Sequence, residues 1–321
     1  MYIDTPIIIS ASRATDIPAF YAKWFAERLK AGYVMNKNAY KGYITKINLD
    51  KARVYVFWTK NAEPLIPYLK LLDEKNIGYY FQYTVNDYDT VIEKHVPSLN
   101  KRIDTFKRLS DMIGPDRVIW RYDPIVTGIM SVEEHLNKIE NIGNQLKSYT
   151  NKLVFSFLDD YGKAKTNLIK TGLFNTNNIN TAVPNIIQEE ELARGIAKLC
   201  NAWNMQASTC AENNSFYQYG ITRNCCIDPV LIDKLFSAKD PLLNEYMSQF
   251  RINDTDVIDY VKAKDKYQRR LCGCMVSKDI GTYNTCLHDC AYCYATQSYE
   301  QACYNHKKHN INATSIIPFE V

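Results

Sequence analysis

Three cysteines near the end of the chain are the residues best suited to chemistry. Cys286, Cys290 and Cys293 lie in the stretch TYNTCLHDCAYCYATQ with the spacing C-x3-C-x2-C. Structural zinc sites use four ligands, usually in paired C-x2-C units, and ferredoxin-type clusters are also held by four cysteines. Three close thiolates therefore predict a [4Fe–4S] cluster in which one iron lacks a protein ligand and is open to a substrate or cofactor.

The remaining cysteines predict a second site. All ten cysteines of the chain lie at or after Cys200, and in a reducing compartment such residues indicate metal or redox chemistry more than disulfides. Cys200 and Cys303 are interpreted as buried free thiols. Four of the others would form a closed shell for an auxiliary [4Fe–4S] cluster or a zinc ion, with buried free thiols as the alternative; these four are Cys210, Cys226 (preferred over Cys225), Cys272 and Cys274.

Composition restricts the class of protein. The chain has 321 residues, of which 46% are hydrophobic, so a large core is expected. The net charge of +4 is too small to indicate nucleic-acid binding by itself. The first residues, MYIDTPIIIS, do not resemble a signal peptide, and no apolar run approaches the roughly 20 residues that cross a bilayer. We therefore expect a cytoplasmic protein without a membrane partner.

Hydrophobic runs alternate with helix-length segments along the first 220 or so residues. Strands are predicted at 6–11, 42–48, 54–60, 77–85, 117–125, 152–160 and 205–212. Helices are predicted at 18–31, 63–75, 97–113, 131–147 and 186–202, and the Asn- and Thr-rich residues 162–185 are expected to form a long excursion. This alternation predicts an α/β fold, a complete or partial (β/α) TIM-type barrel over residues 1–224, with a cysteine-rich iron–sulfur region at 225–321 packed on the barrel mouth.

Polar residues follow most of the predicted strands. The carboxyl ends of strands line the active site of a β/α barrel, so these residues form one candidate set. Helix capping is the alternative for each of them, and Asp16 before Ile17-Pro18 is a plausible N-cap. The set comprises Ser10, Arg13, Asp16, Thr59, Lys60, Asn61, Arg121, Asp123, Ser156, Asp159, Asp160 and Glu212.

Three motifs resemble the radical S-adenosylmethionine superfamily, and most closely its spore-photoproduct-lyase-like branch. The first is YNTCLHDCAYCYA, in which Tyr292 takes the place of the aromatic residue that precedes the last cysteine. The others are VFWTKNAEPL at 56–65 and RYDPIVTG at 121–128. In the superfamily the cysteine loop follows the first barrel strand, whereas here it follows all the predicted strands. The whole sequence also resembles a bacterial family defined as a conserved domain of unknown function, with SASRATDIPAFY at its start.

The resemblance implies an enzyme in which S-adenosylmethionine binds the open iron. Its reductive cleavage would give a 5′-deoxyadenosyl radical that takes hydrogen from an unknown small-molecule, peptide or nucleic-acid substrate. A reducing donor such as flavodoxin or ferredoxin would supply the electron. By residue type, Lys60 and Arg121 are assigned to a carboxylate or other anion, and Asp123 and Glu212 to ribose hydroxyls or the amino group. Further cofactor contacts are assigned to Tyr292, Ser10, Arg13, Asn61 and Ser156.

Two other functions are compatible with the sequence. A non-catalytic iron–sulfur or zinc protein could carry electrons or sense redox state, although an electron carrier is better served by a closed four-ligand cluster. A nucleic-acid repair lyase is suggested only by the likeness to the photoproduct-lyase branch.

Overall fold

The computed structural model describes residues 2–37, 42–253 and 255–319. The chain divides into two compact units, and the boundary expected after residue 224 is one of the boundaries between them. Residues after 224 nevertheless contribute to both units. Unit 1 comprises Met1–Phe81, Cys225–Leu287 and Ser298–Val321, and unit 2 comprises Gln82–Asn224 and His288–Gln297.

The fold is α/β, with eight strands in one sheet and three in a smaller one. Continuous burial of β2 on both faces is typical of a parallel strand covered by helices. The strands are β1 (Tyr2–Asp4), β2 (Ile8–Ala11), β3 (Tyr33–Lys37), β4 (Ile44–Asn48), β5 (Val54–Thr59), β6 (Gly78–Thr84), β7 (Val118–Ile125), β8 (Lys152–Phe157), β9 (Gln206–Thr209), β10 (Thr222–Arg223) and β11 (Lys278–Asp279).

Unit 1 contains the strand order β6–β5–β2–β11, and the pairs β5–β2 and β2–β11 are parallel. The last strand of the chain therefore lies beside the first long one. Unit 1 also contains the three-stranded sheet β1–β4–β3, in which β1–β4 is parallel and β4–β3 antiparallel.

Unit 2 contains the order β10–β9–β8–β7–β6, with parallel pairing from β7 to β10. Strand β6 crosses the unit boundary, since Phe81 belongs to unit 1 and Gln82 to unit 2. The carboxyl ends of β7, β8 and β9 consequently meet at one edge of the sheet within unit 2.

Eleven α-helices occur in the described part of the chain. In seven of them a side-chain oxygen caps the first turn and satisfies amide groups that have no partner inside the helix. They are α1 (Ile17–Phe20), α2 (Ala22–Ala31), α3 (Lys70–Glu74), α4 (Leu99–Ile113), α5 (Val132–Leu146), α6 (Gly162–Lys170), α7 (Ile186–Ala202), α8 (Pro229–Phe236), α9 (Pro241–Ser248), α10 (Tyr260–Ala263) and α11 (Tyr299–Lys307).

The capping residues match the sequence signals. Asp16 accepts a hydrogen bond from the Ala19 amide at 3.0 Å, so the predicted N-cap is confirmed. Helix α7 occupies the predicted range 186–202 and begins with a capping box formed by Asn185 and Gln188.

The core of unit 1 is aromatic. Phe25 of α2 contacts Tyr55 and Phe57 of β5 edge-on, with ring centroids 5.5 and 5.4 Å apart, and Phe57 stacks on Phe81 at 5.0 Å. These separations lie in the range favoured by aromatic pairs, so the contacts fix α2 on the sheet.

The predicted strand at 42–48 is confirmed by β4, but β4 belongs to the three-stranded sheet, and its alternating burial reflects one partly exposed face. Two other element predictions are wrong. The predicted helix 63–75 is a 3-10 turn at Ile66–Tyr68 followed by the short α3, because Pro67 takes the first turn. The predicted excursion 162–185 includes helix α6, whose Ala164 and Leu168 belong to a buried hydrophobic cluster of unit 2.

Stability should fall in acid because of His135 on α5. This side chain is fully buried, with its ring nitrogens 3.1 Å from the Tyr122 hydroxyl and 3.0 Å from the Val126 carbonyl. Burial lowers the pKa of His135 to about 4, whereas the unfolded chain protonates near 6.5. We expect the unfolding free energy to be fully retained above pH 6.5 and to decline toward pH 4, by up to about 1.4 kcal/mol per pH unit.

Urea unfolding of wild type and His135→Gln across pH 4 to 7 measures this effect. The variant should be less stable at pH 7, because it loses well-fitted hydrogen bonds, but its stability should depend less on pH. Parallel pH profiles for the two proteins would contradict the assignment.

Candidate metal centre and strand-end site

The second half of the cysteine motif is joined to the loop after β6 by backbone hydrogen bonds within unit 2. The His95 amide donates to the His288 carbonyl at 3.0 Å, and the Ala291 amide donates to the Ile92 carbonyl at 2.9 Å. Between them, Glu93 and Cys290 form an antiparallel bridge. The backbone around Cys290 is therefore held against the loop after β6.

Tyr292 is anchored to a buried ion pair. Its hydroxyl donates to the carboxylate of Glu93, which also lies 3.3 Å from the guanidinium of Arg102. The amide of Asn86 donates to Glu93 at 3.1 Å and to the Tyr292 hydroxyl at 3.2 Å. Burial, reinforced by the negative charges of Cys290 and Glu93, raises the pKa of Tyr292 well above its usual value. Tyr292 therefore remains a neutral hydrogen-bond donor.

The same residues pack at the carboxyl ends of two strands. Cys290 and Tyr292 belong to a buried cluster with Tyr88, Val126 and Leu158. Val126 directly follows β7 and Leu158 directly follows β8. Within unit 2, this half of the motif thus lies at the edge of the sheet where polar residues follow the strands.

Arg121, Asp123 and Ser156 form one polar network at this edge. The Arg121 Nε donates to Asp123 at 3.0 Å, and its Nη1 donates to Gln82 at 3.2 Å. The Ser156 hydroxyl donates to the other carboxylate oxygen of Asp123. The carboxylate of Asp123 therefore binds both Arg121 and Ser156, and all three residues were predicted from the sequence.

Glu212 follows β9 and accepts a hydrogen bond from the Phe157 amide at 3.0 Å. Burial, assisted by the charges of Asp159 and Cys210, raises the pKa of Glu212 to about 8. The carboxyl group is consequently mostly protonated at neutral pH. Glu212 thus connects the end of β8 to the segment after β9, and its protonated carboxyl group can donate as well as accept a hydrogen bond.

Lys163 is a residue that sequence reasoning missed. Its ammonium donates to the Tyr294 carbonyl at 3.2 Å, directly after Cys293. Burial lowers the pKa of Lys163, and the negative charge of Cys293 partly opposes that change. A lysine at the start of α6 carried no signal because the segment was interpreted as an excursion.

Cys286 lies in unit 1, in the segment that follows β11. The Tyr21 hydroxyl donates to the Thr285 carbonyl at 2.7 Å, and the Asn305 side chain donates to the Asn284 carbonyl at 2.8 Å. Residues near both ends of the chain therefore hold this first cysteine of the motif.

The other predicted residues of unit 1 lie near the carboxyl ends of β2 and β5. Asp279 of β11 accepts from the Ser10 hydroxyl at 2.7 Å and from the Arg13 amide at 2.9 Å. Asp16 likewise accepts from the Lys60 amide at 2.8 Å. The Asn61 amide donates to Thr59 at 2.8 Å, so these contacts organise the turns after β2 and β5.

Three of the four cysteines predicted for the second site meet in unit 1. The Cys274 thiol is hydrogen-bonded to those of Cys226 and Cys272. Cys210 belongs to unit 2. We call Cys226, Cys272 and Cys274 the thiol group. The bond with Cys226 lowers the pKa of Cys274, but the bond with Cys272 and burial together raise it by more.

Arg13 balances the thiol group electrostatically. Its guanidinium is hydrogen-bonded to Cys274 and lies 5.0 Å from the ring centre of Trp58. Burial lowers the pKa of Arg13, but attraction to Cys274, Asp279 and Cys226 raises it above its ordinary value. The positive charge of Arg13 lowers the pKa of Cys274, but less than its other surroundings raise it.

Within residues 2–37, 42–253 and 255–319, no group of three or more His, Cys, Asp and Glu side chains is arranged to hold a metal ion. The assignments of Cys286, Cys290 and Cys293 to one cluster, and of Cys210 and the thiol group to a second metal, remain predictions. No helix in the same residues is long and apolar enough to span a bilayer.

Comparison with known proteins places this α/β chain in a family. The family model described as Domain of unknown function (DUF1848) matches residues 8–295. The chain therefore belongs to that family.

No curated protein matches the chain. A solved structure, a putative alpha-L-fucosidase from Bacteroides thetaiotaomicron VPI-5482, is similar over 77% of this chain and 94% of its own. The two sequences are 11% identical and the TM-score is 0.27, so the likeness supports no argument about fold or function.

Replacing Glu93 should be far more damaging than replacing its tyrosine partner. Glu93→Ala leaves the buried Arg102 without its carboxylate, and we expect a loss of about 3–5 kcal/mol in unfolding free energy. Tyr292→Phe removes one hydrogen bond and should cost about 1–2 kcal/mol. Urea denaturation measures both values.

Glu27→Ala is the matched control, because Glu27 pairs with Lys30 at 2.9 Å on the surface of α2. Its unfolding midpoint should stay close to that of wild type. If Glu27→Ala and Glu93→Ala lowered the unfolding free energy equally, burial of the Glu93–Arg102 pair would be energetically unimportant.

Proposed function

We propose that this protein is a radical S-adenosylmethionine enzyme that acts in the cytoplasm on an unknown substrate. The observation that carries the proposal is the C-x3-C-x2-C spacing of Cys286, Cys290 and Cys293, with Tyr292 before the last cysteine. When bound, a [4Fe–4S] cluster with an open iron would supply the electron that cleaves S-adenosylmethionine and yields a 5′-deoxyadenosyl radical.

The position of Cys286, the first cysteine of the motif, supports this proposal. In the superfamily that the chain resembles, the cysteine loop follows the first strand of the barrel. Here Cys286 follows β11, which pairs in parallel with β2 on the side opposite to β5. The motif lies near the end of the sequence, but the strand that precedes it pairs with β2, near the start of the chain. We therefore propose a partial β/α barrel whose strand order is permuted along the chain.

The strand-end residues of unit 2 are suited to holding a polar ligand. Cys290 and Tyr292 pack against residues that follow β7 and β8, close in sequence to the polar network of Arg121, Asp123 and Ser156. In the proposal, Asp123 and Glu212 accept ribose hydroxyls or the amino group, and Arg121 orients a carboxylate. Lys163, near Cys293, is added as a second cation for that carboxylate.

In unit 1, we propose that Lys60 binds an anionic group of the ligand. Ser10, Arg13 and Asn61 keep their assignment to cofactor binding. The hydrogen bonds of Asp279 and Asp16 to the turns after β2 and β5 support a preorganised backbone there.

We also propose a second metal on Cys210 and the thiol group. The support is the mutual hydrogen bonding of Cys226, Cys272 and Cys274, together with the adjacent guanidinium of Arg13. Thiolates are the preferred donors of zinc and of iron–sulfur clusters.

Anaerobic reconstitution tests the principal function. Protein loaded with iron and sulfide, reduced, and mixed with S-adenosylmethionine should release 5′-deoxyadenosine, detected by chromatography. Cys286→Ala, Cys290→Ala and Cys293→Ala should each abolish release, because every one removes a ligand from the same iron cluster.

Cys303→Ala is the matched control, since Cys303 lies on α11 outside the motif. Its yield of 5′-deoxyadenosine should equal that of wild type. A reconstituted wild type that retains its cluster yet releases no 5′-deoxyadenosine would reject the enzymatic proposal and favour an electron carrier.

Metal analysis tests the second site separately. Wild type should contain about eight irons per chain, or about four irons and one zinc. The double variant Cys272→Ser/Cys274→Ser should lose four irons or the zinc while still releasing 5′-deoxyadenosine. About four irons and no zinc in both proteins would remove the second site.

A further inference from the structure

One surface segment of unit 1 carries a concentrated positive charge. Residues 260–270, YVKAKDKYQRR, include five Lys or Arg and one Asp. That acidic residue, Asp265, is 6% exposed and accepts hydrogen bonds from the Tyr267 amide at 2.9 Å and the Gln268 side chain at 3.3 Å. The charge that this segment presents to solvent is therefore basic.

The same segment exposes apolar side chains to an unusual degree. Tyr267 is 99% exposed and Val261 is 86% exposed, and Tyr260 is 49% exposed. Asp259 fixes the turn that carries two of them by accepting from the amides of Val261 and Lys262 at 3.0 and 3.1 Å. Apolar residues held outward among cations have the composition of a protein-binding surface, with an apolar centre and a charged rim.

The segment is also attached to the backbone of the thiol group. The Asp265 amide donates to the Cys274 carbonyl at 2.9 Å, and Lys264 forms an antiparallel bridge with Met275. This segment is therefore joined by backbone contacts to the stretch that carries Cys274.

We propose that this surface docks an acidic electron-carrier protein. Its defining residues are Tyr260, Val261, Lys262, Lys266, Tyr267 and Arg270. The inference rests on the proposed function, which requires a reductant: a carrier with a reduced flavin would give up one electron, and an iron–sulfur cluster of this chain would accept it. The basic rim would steer an acidic partner, and the apolar centre would hold it.

A protein partner fits these residues better than a single-stranded nucleic acid. Nucleic-acid grooves place successive aromatic side chains for base stacking along a basic track. Here the most exposed residues include an aliphatic side chain, Val261, and only Tyr267 in this segment presents a fully exposed ring.

Binding of flavodoxin, an acidic flavoprotein, tests the inference directly. The triple variant Lys262→Glu/Lys266→Glu/Tyr267→Ala should raise the dissociation constant at low salt by at least about tenfold, and added salt should weaken wild-type binding much more than variant binding. The control is Lys101→Glu/Lys198→Glu, which reverses two exposed lysines on α4 and α7. It should bind flavodoxin as wild type does, and circular dichroism checks that each variant is folded.

Reduction kinetics give a second readout. Flavodoxin hydroquinone should reduce the reconstituted triple variant about tenfold more slowly than wild type, whereas titanium(III) citrate, which needs no docking surface, should reduce both at one rate. If no cluster forms but flavodoxin binding still weakens in the triple variant, the docking surface stands and the proposed function fails.

Equal flavodoxin affinity of the triple variant and the control would overturn the inference. So would binding of a labelled single-stranded oligonucleotide that depends on these residues while flavodoxin does not bind.

Discussion

The pairing of β11 with β2 is the constraint on which the first half of the motif depends. One carboxylate, Asp279, accepts hydrogen bonds from Ser10 and Arg13, more than 260 residues earlier in the chain. The approach is close: a Cβ at Gly281 would lie 1.9 Å from the Ser12 hydroxyl, so only glycine fits. This contact places Cys286 just beyond a parallel strand, although its position in the sequence suggests a terminal appendage.

A comparable constraint holds the second half of the motif in unit 2. The buried carboxylate of Glu93 forms an ion pair with Arg102 and accepts a hydrogen bond from Tyr292. Removing one partner would leave a buried polar group unpaired and so lower the stability of the fold. The backbone on either side of Cys290 is hydrogen-bonded to residues 92 and 95. Such preorganisation suits a site in which a cluster must keep one iron accessible.

Much of the sheet could be predicted because its strands are buried on both faces. Runs such as VYVFWT have no polar interruption, and their apolar continuity is a direct consequence of helices covering the sheet. Strand β4 was misplaced because alternation in ITKIN predicts a half-exposed strand but not the sheet to which it belongs. The two-residue strands β10 and β11 leave no periodic signal, so the pairing of β11 with β2 was not predicted, although the C-terminal region was expected to pack on the barrel mouth.

The candidate site shows the same division. The cysteines and the polar residues near the strand ends were predicted from residue type and spacing alone, and their roles remain predictions. Glu93, Asn86 and Lys163 escaped selection because their importance comes from tertiary partners, namely Tyr292 for the first two and the backbone after Cys293 for the third. The preference for Cys226 over Cys225 was made from the local sequence, whereas the contact of Cys226 with Cys274 joins residues almost 50 positions apart.

Electron paramagnetic resonance of the reduced, reconstituted protein tests the central claim most directly. An open iron that binds S-adenosylmethionine should change the g-values of a [4Fe–4S] signal when the molecule is added, and Cys290→Ala should not show that change. Signals that are identical with and without S-adenosylmethionine in the wild type, or a change that persists in Cys290→Ala, would contradict the account.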